Sequence, residues 1–142
     1  MVHSRITSNL IPLATLRSFS QEKTNYELVL EEEKVLNFFQ EIKEIIKERK
    51  ITISMHSSQF VSLASDSEET RANSRAELIY YAKVLKLISS PKSVITVGLN
   101  SKQELVKSLK EEEYFHQVAE SIKKLPPYVL SMICLENEVR GF

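Results

Sequence analysis

Residues Ile51–Phe60 read ITISMHSSQF, and this stretch decides the fold. A β-branched run ends on His56, and two serines, a glutamine and an aromatic follow. The run Ile51–Met55 reads as a short, fully buried strand. Burial alone requires neither a histidine at the strand end nor a Gln-Phe pair after it. His56 is therefore either a ligand or base at the mouth of a site, or a polar strand end.

Outward from this strand the chain alternates. From about Tyr26 to Arg49, Val35, Phe38, Phe39, Ile42, Ile45 and Ile46 recur at three- and four-residue spacings, which predicts an amphipathic helix. The acidic triplet Glu31–Glu33 falls in its first half and reads as solvated charge. Ser65 with Glu68, or Asp66 with Glu69, has capping-box spacing and announces a helix to about Ile88. Leu78, Tyr81, Ala82, Leu85 and Ile88 line its core face, so Tyr80 and Tyr81 read as packing residues. Ser89-Ser90-Pro91 stops it. Val94–Val97 is the next strand, Gln103–Lys110 and Glu112–Lys124 are helical, and Val129–Leu135 is the last strand after Pro126-Pro127. With Ser4–Ile6 at the start, the order is β-α-β-α-β-α-β. Apolar strands with crossover helices make a parallel α/β fold, either an open doubly wound sheet or part of a barrel.

The totals narrow the function. The 142 residues make one domain, 1–142, and 19 acidic residues balance 19 basic ones. No global field draws nucleic acid or an anionic membrane, so DNA binding needs a local basic patch. The two glycines, Gly98 and Gly141, leave no glycine-rich phosphate loop. Cys134, the single cysteine, reads as core filler. No apolar stretch reaches about 18 residues and no signal peptide is visible, so a cytoplasmic, membrane-free location is the default expectation.

Parallel α/β folds gather ligands just past their strands. There this chain has Ser8 and Asn9, His56 through Phe60, and Glu136 with Asn137. A histidine and a carboxylate on one rim are a possible start to a divalent-metal site. His3 and His116 match no part of it and read as surface residues.

Four pieces in this order, SRITSNLIPLAT, ISMHSSQF, AELIYYAKVLKLI and KKLPPYVLSMICLENE, resemble UV-damage endonucleases. These are DNA-repair enzymes built as a TIM barrel around divalent metal ions, usually manganese. The resemblance spans nearly the whole chain and the first half to two-thirds of the barrel, so a partial α/β barrel of parallel β-α repeats is expected. It implies metal-dependent incision of damaged double-stranded DNA. His56 and Glu136 match metal ligands, while Gln59 and Phe60 match the pair wedged into the duplex at the lesion. An aromatic ring replaces lost base stacking there, and an amide can hydrogen-bond the orphaned bases. Arg5 and Ser8 match the opening strand, where Arg5 can reach a phosphate, and Asn137 lies beside the ligand carboxylate.

There are departures as well. The family has a ligand histidine where this chain has Gly98, and a catalytic histidine where it has Leu16. Its further aspartate, histidine and glutamate ligands belong to a C-terminal part that the resemblance does not reach. No residue here is therefore assigned as catalytic. A non-catalytic DNA-binding or assembly module stands as the alternative, and a metal-dependent sugar-isomerase relative as a third reading. Four strands of a barrel leave two edges and an open inner face, so a homo-oligomer or a complementing second chain is expected.

Overall fold

A computed structural model describes residues 2–6, 33–88, 92–99 and 111–136. Its strands are β1 (Val2–Ile6), β2 (Ile51–His56), β3 (Val94–Gly98) and β4 (Ile133–Glu136). Its helices are α1 (Glu33–Glu48), α2 (Glu68–Ile88), α3 (Glu111–Lys123) and the single turn α4 (Pro127–Leu130). The expected helical residues 26–32 and 103–110 lie outside the described residues, as do Ser8, Asn9, Leu16 and Asn137.

The strands form one parallel sheet in the order β1-β2-β3-β4. This order decides between the two α/β architectures. A doubly wound sheet reverses its strand order and places helices on both faces. Four consecutive neighbours without reversal are a barrel-type arrangement, with helices on one face. Burial agrees, because Ile53, Met55, Ile95 and Val97 join the helical residues in one core.

The strands are not apolar throughout, which corrects the reading of Ile51–Met55 as fully buried. Ile53 and Met55 are buried while Thr52, Ser54 and His56 are only partly so, the alternation of a sheet with one covered face. Cys134 is likewise exposed rather than core filler. It pairs with Thr96 on the open face, so helix packing does not reach it.

Helix α2 supplies the centre of the core. Leu78, Ala82, Leu85 and Ile88 recur along one stripe and are at most 1% exposed, and Tyr80 and Tyr81 are buried as expected. Truncating any of these large aliphatic residues to alanine would cost about 2–5 kcal/mol. Helix α1 buries only Phe39 and Ile46 fully. Phe38 and Ile45 sit on the flank of its apolar stripe and remain exposed.

Prolines explain the late start of the last strand. Pro127 opens a helical turn for which its fixed φ is suited, and Val129 and Leu130 both donate backbone N–H groups to the Pro126 carbonyl. Val129 is thus a buried helical residue, and the last strand starts only at Ile133. The cap of α2 also shifts. Ser67, not Ser65 or Asp66, accepts the Thr70 N–H at 3.3 Å, while Ser65 accepts the Ser67 N–H.

Two predictions follow from local chemistry. Lys50 joins α1 to β2 with a φ of 51°, a left-handed conformation costing a non-glycine residue about 1–2 kcal/mol. Glycine's extra backbone entropy offsets about 0.5–1 kcal/mol of that gain. Lys50→Gly should therefore stabilise the fold by about 0.5–1 kcal/mol in urea titration. At the start of α2, hydrogen bonds from Arg75 and Arg71, with Lys124 nearby, hold the Glu68 carboxyl down at about 2. Because its folded value is depressed, its contribution is complete above the ordinary value of 4.5 and disappears as pH falls through about 2. Glu68→Gln should lower the urea midpoint at pH 7, and the difference from the parent should vanish near pH 2. The cluster is half exposed, so high salt should shrink the effect.

Candidate functional site

The sheet register carries the site. Paired residues of parallel strands point to the same face. On the open face, Arg5 therefore lies beside Ser54 and Val94, and His56 beside Thr96 and Cys134. Glu136 ends β4 in register with Gly98, which ends β3. His3 is also on this face, with its Nε2 2.9 Å from the Ser54 hydroxyl. The sequence reading missed His3, Ser54, Thr96 and Cys134 as neighbours of the site. The Ile-Thr-Ile-Ser-Met-His alternation was the signal that could have found them.

His56 and Glu136, expected to share a rim, are in direct contact. The His56 Nε2 lies 2.8 Å from Glu136 Oε2, and its Nδ1 lies 2.9 Å from the Ser57 carbonyl oxygen. A carbonyl and a carboxylate oxygen are both acceptors, so each of these bonds needs a proton on the ring nitrogen that faces it. The side chains are 29% and 50% exposed, which leaves the pair open to solvent on the uncovered face.

This contact spans an entire strand. β2 and β4 flank β3 at a separation of roughly 10 Å, two strand spacings. His56 lies opposite Thr96, and the line from it to Glu136 passes toward the end of β3. A side chain at 98 would stand directly beside Glu136 on the same face. Gly98 has none, which leaves a lane over the backbone for the imidazole and carboxylate to meet.

The second element is the turn after β2. The Ser57 N–H extends the ladder to the Thr96 carbonyl at 2.8 Å. Val61 N–H closes a turn onto the Ser58 carbonyl at 3.2 Å, and the Ser58 hydroxyl accepts the Phe60 N–H at 3.3 Å. Gln59 and Phe60 are the two central residues of this turn. Both are exposed, and Phe60 is 72% so despite its apolar ring. Val61, directly after it, is 1% exposed. Buried residues thus bracket the aromatic that is presented to solvent, a placement a core role would not produce.

The model of the UV-endonuclease UvdE family matches residues 2–142. The chain belongs to that family. It is 30% identical over 139 residues to the UV DNA damage endonuclease of Halalkalibacterium halodurans, covering 97% of this chain and 39% of that protein. With the UV DNA damage endonuclease of Bacillus cereus it shares 30% identity over 142 residues, covering 40% of the relative. The crystal structure of SacUVDE superposes with a TM-score of 0.78 and 30% identity over all of this chain and 44% of that one. The chain thus spans about two-fifths of the length of the curated relatives it matches. Its four-stranded sheet is part of a TIM barrel. Membership in the family removes the sugar-isomerase reading. Among the described residues, no helix is long and apolar enough to cross a membrane.

If Gly98 keeps the lane open, Gly98→Val should separate the His56 ring from Glu136 while leaving the fold intact. The ring nitrogen and proton signals of His56 in NMR should then resemble those of Glu136→Gln. Unchanged His56 signals in Gly98→Val would refute the assignment.

Proposed function

We propose that this chain contributes the lesion-probing turn and part of the metal-holding rim of a UV-damage endonuclease acting on damaged double-stranded DNA. The observation carrying this reading is one juxtaposition. A His–carboxylate pair in contact at 2.8 Å ends β2 and β4, and the exposed Gln59–Phe60 turn begins three residues after that histidine.

In this reading Phe60 enters the duplex and stacks where a base has been displaced, and Gln59 hydrogen-bonds the bases left unpaired. Arg5, on the same open face, contacts a backbone phosphate, with Ser8 and Asn137 as further DNA contacts. His56 and Glu136 hold a divalent cation, Mn2+ by resemblance to the family. The donor chemistry fits: with its proton on Nδ1 bonded to Ser57, the ring presents its Nε2 lone pair beside a carboxylate oxygen. The separation also fits, because neighbouring donors around a cation with bonds of about 2.1 Å sit roughly 3 Å apart. When bound, such an ion polarises the phosphodiester and activates water for hydrolysis. The described residues hold no group of three or more His, Cys, Asp or Glu suited to a metal, so further donors come from elsewhere.

A second reading has its own support. Gly98 places no donor between His56 and Glu136, and Leu135 on the helix-facing side of edge strand β4 is 42% exposed. A DNA-binding or assembly module, completed by a second copy or a complementing chain along β4, fits both features.

Binding and cutting separate the two. The chain should bind UV-irradiated duplex more tightly than intact duplex in a titration at fixed salt. Phe60→Ala should weaken binding of the damaged duplex roughly five- to hundredfold, the range for one base–aromatic stack. Gln59→Ala should weaken it less. Equal affinity for irradiated and intact duplex would overturn the reading. Binding of Mn2+, followed by electron paramagnetic resonance, should be lost in His56→Ala and Glu136→Ala. Manganese-dependent incision lost in the same variants supports the enzyme, whereas binding without incision supports the module.

A further inference from the structure

The geometry assigns Ser74 and Ser121 as positioning residues that brace the Gln59–Phe60 turn for probing a duplex. This rests on the reading of that turn as the lesion probe. The two serines lie on different helices, α2 and α3, and each is 2% exposed. Both aim their hydroxyls at the backbone just behind the turn. The Ser74 hydroxyl accepts the Ser62 N–H at 2.8 Å. It shares its own proton between the Thr70 carbonyl at 2.8 Å and the Ser62 carbonyl at 3.2 Å. The Ser121 hydroxyl donates to the Leu63 carbonyl at 2.6 Å. Arg71 reaches back to the Ser65 carbonyl as a third tie.

Neither hydroxyl is needed by its own helix. A serine inside a helix gains little there, and an apolar residue would fill either buried position at less desolvation cost. What the hydroxyls do is satisfy loop backbone groups buried with Val61, Leu63 and Ala64. The segment 61–65 is thereby held on both sides by side chains distant in sequence. Upstream, the turn is held by the Ser57 bond to Thr96. Only residues 58–61 stand between these anchors, and Val61 is itself buried, so the exposed aromatic has little freedom to search. A wedge inserted into stacked bases gains affinity when its ordering is complete before binding.

The chain has no tryptophan, so Phe60→Trp installs a single fluorescent reporter at the tip. In the full chain its time-resolved anisotropy should show restricted local motion. Ser121→Ala and Ser74→Ala in that background should release this restriction with the far-UV circular dichroism retained, and Ser→Thr at each position should restore it. In the parent chain, the same alanine variants should reduce the ratio of affinities for irradiated and intact duplex by about fivefold, and the threonine variants should recover it. Unchanged tip motion in both alanine variants would overturn the assignment. Released motion with undiminished discrimination would overturn it as well. Should an alanine variant unfold, amide exchange in the unaltered chain decides: the Ser62 N–H should be protected, and exchange at the unprotected rate refutes the brace. If Phe60→Ala itself leaves discrimination unchanged, the duplex-probe reading has failed, and the motion of the tip alone decides whether the brace exists.

Discussion

The parallel register from β1 to β4 is the constraint on which the rest of the molecule depends. Helices cover one face of this sheet, so every second strand residue must be apolar and the others need not be. Ile53, Met55, Ile95 and Val97 meet the first requirement and join the helical residues in one core. Thr52, Ser54, His56, Thr96 and Glu136 occupy the other set of positions. A slip of one residue in β2 would bury His56 and expose Met55. The polar site and the core are therefore specified by the same pairing, and neither can be moved without the other.

The turn after β2 divides its residues by a different rule. Its base is core, with buried Val61, Leu63 and Ala64 and backbone groups satisfied by helix serines. Its tip is surface, with Phe60 left 72% exposed. Large apolar side chains leave water at little cost, so leaving one out while its neighbours are buried requires a backbone that cannot fold it inward. The Ser58–Val61 turn and the buried residues on either side provide that backbone.

The β-α alternation was legible because its signals are local: three- and four-residue spacing along α2, the prolines before β4, and short runs between helices. His56, Gln59, Phe60 and Glu136 stood out at the strand ends, and the resemblance supplied the roles read for them. The structure brings the first and last into contact and leaves the middle two exposed. The shared rim of His56 and Glu136 was expected, but direct contact across 80 residues depends on a strand register that no local signal encodes. Cys134 was misjudged for a related reason. Its apolar neighbours suggested a buried strand, but β4 is exposed at Cys134, Leu135 and Glu136 alike. Ser74 and Ser121 carried no signal, because a serine in a helix looks the same whether it serves the helix or a distant loop.

Gly98 has a consequence for how this surface can change. Positions 56, 98 and 136 lie on the same face of three adjacent strands, and the contact between 56 and 136 crosses the strand that carries 98. A side chain introduced at 98 competes with the contact between the other two, whereas after loss of either partner the same space is free. Substitutions at these positions are therefore non-additive by geometry, and the three behave as one epistatic unit.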